Sequence, residues 1–319
     1  NFILKISGII LIFGLFCFGQ ANASQQPPGG LRYRNYLIKY ELSNEKVALK
    51  IHQLLELNNS KYEEFYHTKI RIPVKIIIAA NPVKFNIYSG RRLPQWAGAA
   101  YLKPQNVILL KSYSQGNLRF QLEHDFLHEL SHLFFDQKFK GKNIPLWYNE
   151  GLAEYLSGRE INLPAAIKLS NALLARSFLS FAMMDSLLYL PRNKAELAYI
   201  QSLAAVLYLQ QWLGNNNEWE RFHEAVARDG WEIALKNLTG MDEIDFELSY
   251  YHYIRKKYRW LFLLNLENLI WVGLILVLGL SMYWIRYRNK KILQEWGDEE
   301  QSQNYDIFYF PPDNPDDFE

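Results

Sequence analysis

Hydrophobic and polar positions change their period several times along this chain, and each change marks an element. Ile6 to Phe18 reads as one apolar run, with Lys5 ahead of it and the small residues Ala21-Asn22-Ala23 behind it. Ser43 to Tyr66 alternates as a long amphipathic helix does, and Pro73 to Ala80 (PVKIIIAA) reads as a buried strand. Gln95 to Ser112 predicts further strand and turn, with Val107-Ile108-Leu109-Leu110 as an edge strand. From Arg119 to Gln137 the period becomes helical, with Leu122, Phe126, Leu130, Leu133 and Phe134 on one side and no glycine or proline to interrupt them. Gly141 and Pro145 break the chain, a second helix starts near Leu146, and the remainder is helical. Leu269 to Ile285 is uncharged throughout and bordered by Trp271, Tyr283 and Trp284, which predicts one transmembrane helix over 261–285.

Strands early, a polar-bearing helix in the middle and helices late make an α+β domain with a helical C-terminal lobe, and the stretch between the two apolar runs is long enough for one sizeable core. The first run predicts a signal peptide over 1–23, so the mature chain begins near Ser24. The single cysteine, Cys17, leaves with that signal, and disulfides play no part in stability. Formal net charge is +2, with no basic cluster outside the flanks of the transmembrane run, which excludes nucleic acid as a partner. Arg255, Lys256, Lys257 and Arg259 precede that run and Arg286, Arg288, Lys290 and Lys291 follow it, so basic residues alone do not orient it. The exported N-terminus does: 24–255 is then extracytoplasmic, at the periplasm or cell exterior, and 286–319 is a cytoplasmic tail. That tail is acidic and proline-bearing, reads as disordered, and carries Tyr305, Phe308, Tyr309 and Phe310 on which a cytoplasmic partner could dock.

The chemistry is concentrated in two short segments. His128-Glu129-Leu130-Ser131-His132 puts two imidazoles one helical turn apart with a carboxylate beside them, the arrangement a zinc hydrolase needs to hold one Zn2+ and deprotonate water. Asn149-Glu150-Gly151-Leu152-Ala153-Glu154 then carries two carboxylates one turn apart on the second helix, from which one can complete the site. His124 and Asp125 make an overlapping pattern with His128, but aspartate is a methylene shorter than glutamate; His124 reads as a solvated or hydrogen-bonded residue at the helix start.

These segments resemble the gluzincin metallopeptidases, and most closely the membrane-associated peptidase MA-like branch, with distant similarity to the catalytic domains of M1 aminopeptidases and thermolysin-type enzymes. The resemblance covers about Tyr36 to Asp229 and is strongest between Leu127 and Tyr155. It implies a zincin-like fold, with His128, His132 and Glu150 as zinc ligands, Glu129 as general base and Glu154 as the carboxylate that fixes a ligand histidine's tautomer. Tyr199, in Ala198 to Leu209, matches the helix that supplies a phenol to the oxyanion. Two plainer roles stay open: Tyr199 as an aromatic packed on Leu203 and Val206, and Glu154 as a solvated helix glutamate. The glutamate-bearing strand that holds a substrate's free amine in exopeptidases is replaced here by Trp96-Ala97-Gly98-Ala99-Ala100-Tyr101. The resemblance therefore implies an endopeptidase acting on proteins or peptides; a zincin fold without catalysis, serving binding or assembly at the membrane, is the rival.

Overall fold

The computed structural model describes residues 29–307, apart from 91–92, 95–96, 113–117, 215 and 265. The expected signal peptide, Trp96 and the last part of the tail, 308–319, lie outside the described residues. The chain divides into two compact units, Asn1–Ile161 with Leu179–Tyr251, and Asn162–Phe178 with His252–Glu319.

The first unit begins with a β-hairpin, β1 (Gly29–Tyr33) and β2 (Tyr36–Tyr40), whose turn holds Arg34 in the left-handed region at φ 48°. A helical crossover, α1 (Glu45–Tyr66), leads to β3 (Val74–Ala79), and α2 (Pro82–Tyr88) leads to β4 (Ala99–Leu102) and β5 (Val107–Lys111). The five strands lie in the order β1-β2-β3-β5-β4, parallel at β2/β3 and β3/β5 and antiparallel at both outer pairs. This corrects the assignment of the edge. Val107–Leu110 pairs on both sides and is buried along its whole length, as a continuous apolar run requires of an interior strand, and β4 is the edge instead. Ala99-Ala100-Tyr101-Leu102 was the harder segment to read, being short and only partly buried.

Helices follow in chain order: α3 (Leu118–Lys138), α4 (Leu146–Leu156), α5 (Leu163–Leu174), α6 (Phe181–Met184), α7 (Arg192–Leu213), α8 (Asn216–Asp229), α9 (Trp231–Thr239) and α10 (Glu243–Tyr258). Of these, α5 and the end of α10 from His252 belong to the second unit. In the first unit, α1 buries Ala48, Ile51, Leu54, Leu55, Tyr62 and Tyr66, the stripe that helical periodicity anticipates. Two of its phenols reach α3: the Tyr62 hydroxyl donates to Leu127 O at 2.9 Å, and the Tyr66 hydroxyl shares a 2.7 Å hydrogen bond with Ser131 Oγ. Phe126, Leu130, Leu133 and Phe134 of α3 are fully buried, each contributing about 1.5–3 kcal/mol. That burial fixes which face of α3 is left for polar side chains.

In the second unit, Ser170 of α5 ties down the turn after α10. Its Oγ accepts from Phe262 N at 2.8 Å and donates to Arg259 O at 3.2 Å. A 3-10 turn (Leu261–Leu264) then opens α11 (Leu266–Ile307), in which Leu269–Glu300 is long and apolar enough to cross a membrane and leaves its apolar side chains exposed. The helix runs on through residues 286–307, where disorder was expected. Strong helix formers and the Lys291–Glu295 pair at i,i+4 continue the hydrogen-bond ladder, which needs no buried surface of its own once nucleated by the preceding turns.

Candidate metal centre

The site is assembled from α3 and α4, with contributions from β4 and α7. Residues 128 and 132 sit one turn apart on α3, and their Nε2 atoms approach to 3.1 Å. Glu150 of α4 brings Oε2 to 3.2 Å from His128 Nε2 and 3.5 Å from His132 Nε2. The structure therefore draws together three of the residues expected at the site. A second group overlaps the first: His124, His128 and Glu154 also offer ligand atoms within 4.8 Å of one another.

Both histidines are held from behind. His132 Nδ1 faces Asn149 Oδ1 at 3.0 Å, and since a carboxamide oxygen only accepts, the ring proton sits on Nδ1 and the Nε2 lone pair is left inward. His128 Nδ1 lies 3.4 Å from Glu154 Oε1, close enough for an ion pair but without hydrogen-bond alignment. Two imidazole lone pairs at 3.1 Å beside a carboxylate oxygen that lacks a hydrogen-bond partner repel one another unless a cation lies among them. The donor set thus fits a metal ion, and without one it takes up a proton. Burial works against charge on His128 and His132, but Glu150 and Glu154 outweigh it at His128, and Glu150 with Glu129 outweighs it at His132, so both pKa values are raised. Burial likewise opposes the Glu150 carboxylate, and the two imidazoles outweigh that and hold its pKa at about 2.

Glu129 points elsewhere. Its Oε2 accepts a 2.6 Å hydrogen bond from Tyr101 N of β4, and burial raises its pKa against the opposing pull of His132 and His128. Tyr199 of α7 faces His128 with ring centroids 5.9 Å apart and lines the same cleft of about 540 Å³. Its phenol is kept neutral by burial and by the carboxylates of Glu150, Glu129 and Glu154. Glu154 is buried, bonded to Arg159 at 3.0 Å and 3.4 Å from His124 Nε2, so it is not a solvated helix glutamate. His124 likewise faces this carboxylate, because α3 already presents to α4 the face on which it lies.

Some of this support was not legible from spacing. Asn149 behind His132, Ser131 bonded to Tyr66, Tyr101 N on Glu129, and Asp185, whose Oδ1 caps α4 at Leu146 N (2.8 Å) and Trp147 N (3.4 Å), all depend on chain crossings far apart in sequence. A signal did exist for Asn149, which sits beside Glu150 in the run that carries the resemblance.

A model of the Peptidase MA superfamily matches residues 61–256, more than half of the chain. The chain belongs to the Peptidase MA superfamily. No curated protein sequence matches it. The Peptidase MA superfamily match takes in α3, α4 and α7, so the converging side chains lie inside the family domain. The family is typically metal-dependent and peptidase-like, in keeping with a His/Glu group able to hold an ion.

Gly151 shows how tightly this Peptidase MA domain holds Glu150 in place. A methyl group there would run into Ser202 O and Val206 Cγ2 of α7. Gly151→Ala is expected to lower stability by about 1–3 kcal/mol and to weaken metal binding by pushing α4 off α7. Thermal melting with and without added metal checks this; an alanine variant matching the native chain on both measures would contradict it.

Proposed function

We propose that this chain is a membrane-anchored, zinc-dependent metallopeptidase that cuts within protein or peptide chains, built on a zincin-like fold with one Zn2+ held by His128, His132 and Glu150. The observation that carries this reading is the triangle of donor atoms, with edges of 3.1, 3.2 and 3.5 Å. Neighbouring ligands of a tetrahedral zinc at ~2.0–2.1 Å lie about 3.3 Å apart. Three protein donors leave a fourth position for reaction, whereas closed structural sites favour cysteine, and the one cysteine here is Cys17. Zinc bound there supplies Lewis-acid activation of water and of the scissile carbonyl.

The chain's own residues supply the rest. Glu129 takes the proton from the attacking water and passes it to the leaving amine; Tyr101 N–H fixes one carboxylate oxygen and leaves the other for the proton. Tyr199, a neutral phenol, donates to the developing oxyanion, an interaction strongest in the transition state. Glu154 and Asn149 orient His128 and His132. Cleavage within chains is supported by β4, which among the described strands pairs only with β5 and lines the cleft, so an extended substrate could add along its other edge.

On this reading α11 anchors the enzyme, the signal peptide spans 1–23, the peptidase domain of 24–255 faces the periplasm or cell exterior, and 286–319 is cytoplasmic, where its acidic end could meet a partner. The test is zinc content and digestion of an unfolded protein substrate by the full chain in detergent. One zinc per chain with cleavage, and neither in His132→Ala, is the expected result. Native chain without zinc overturns the site, and zinc without cleavage of any protein or peptide favours the binding-protein rival.

A further inference from the structure

Outside the cleft, the second unit carries a pocket made from one face of the end of α10. His252, Arg255, Lys256 and Arg259 follow one another at helical spacing, and Trp260 closes the set. Three of these five lining residues are formal cations and none is acidic. The pocket has a fixed wall. Arg259 lies over the Trp260 ring at 4.8 Å from its centroid, and Arg259 O is bonded to Ser170 Oγ, which is fully buried and also takes Phe262 N. The turn after α10 that carries Arg259 is thus held by two hydrogen bonds to Ser170 of α5.

Apolar surface continues directly from this basic pocket. Trp260, Leu263 and Leu264 are 61, 36 and 48 % exposed, and the apolar stretch of α11 begins at Leu269. A free anion would meet the cations and gain nothing from the exposed leucines. A molecule with an anionic head and an acyl body satisfies both. Residues a few positions before a membrane span lie at headgroup depth, where arginine, lysine and tryptophan are the side chains that anchor a helix.

We propose that His252, Arg255, Lys256, Arg259 and Trp260 form a binding site for the phosphate of an anionic phospholipid, with Leu263 and Leu264 lying along its acyl chains. The inference rests on α11 crossing the membrane. Each lysine or arginine near a charged surface contributes about 1 kcal/mol, close to a fivefold preference, so the three together favour anionic over zwitterionic lipid by roughly a hundredfold.

The experiment uses the full chain, delipidated in detergent and titrated with phosphatidylglycerol or phosphatidylcholine, with retained lipid counted by native mass spectrometry. Phosphatidylglycerol is expected to be retained at one site and phosphatidylcholine not, with the preference lost in R255Q/K256Q/R259Q and kept in R255K/R259K. Circular dichroism of each variant shows that the fold is intact, and the charge-keeping variant separates loss of cations from loss of structure. Equal retention of both lipids, unchanged retention by R255Q/K256Q/R259Q, or displacement of phosphatidylglycerol by millimolar inorganic phosphate would overturn the site. Alkaline extraction of the native chain from vesicles tests the span separately: a chain that washes off removes both readings, while one that stays but shows no lipid preference removes only this one.

Discussion

Glu129→Gln is expected to keep its metal and lose its peptidase activity, with kcat/KM falling about 10²–10⁴-fold. The substitution is nearly isosteric, and an amide oxygen can still accept from Tyr101 N, so the hydrogen bond from β4 survives. What disappears is the proposed base, since an amide cannot take a proton from water at neutral pH. Metal retention follows from the same geometry, because Glu129 is not one of the three groups whose ligand atoms converge. Zinc content measured beside hydrolysis of an unfolded protein therefore separates base from ligand. Loss of zinc together with activity would make Glu129 part of the metal shell, and full activity in the glutamine variant would remove it from the mechanism.

The second large effect concerns acid stability and lies away from the cleft. His223 of α8 is fully buried against α1 and α4, stacked on Tyr66 with ring centroids 5.6 Å apart. Phe65 O can only accept, so His223 Nδ1 donates to it at 3.3 Å, and Nε2 accepts from the Tyr148 hydroxyl at 3.0 Å. Both nitrogens are used by the neutral ring, leaving no room for a second proton. Burial accordingly pulls its pKa down to about 3, aided by Lys138 and His67 and opposed by the Phe65 carbonyl. Above the ordinary value near 6.5 the folded and unfolded chains both hold a neutral ring, and this residue adds no pH dependence. Between 6.5 and 3 only the unfolded chain takes the proton, so stability drops as pH falls, by about 5 kcal/mol at the lower limit.

The histidines of the candidate metal site shift the opposite way, so the measurement is a difference. Unfolding of the native chain and of His223→Gln is compared across pH 7 to 4 in the same metal state, by tryptophan fluorescence. The stability advantage of the native chain is expected to shrink steadily as pH falls through that range. An advantage that stays constant would mean His223 is protonated in the folded protein.

How much of this could be read beforehand differs between elements, for identifiable reasons. The helices bearing the site were legible because Leu122, Phe126, Leu130, Leu133 and Phe134 repeat with a helical period, and that repeat alone decides which side chains share a face. The facing of Glu150 followed from the same rule on α4. The edge strand was misplaced because a continuous apolar run says that a strand is buried and nothing about which neighbour lies on each side. Helix through residue 307 was missed because a charged segment with little apolar surface can still extend a helix that is already formed.

The sequence by itself determined the local geometry: two imidazoles and a carboxylate on one helix, two carboxylates on the next, and an apolar stretch able to span a bilayer. These depend on backbone period, which is set within a few residues. Tertiary structure alone decided that the two helices meet with three donor atoms in contact, that Asn149, Tyr101 N and Ser131 support them, and that His124 turns to Glu154. Such contacts join residues brought together by packing, as the fit of α7 against Gly151 shows, and packing depends on the shape of the whole core rather than on any local pattern.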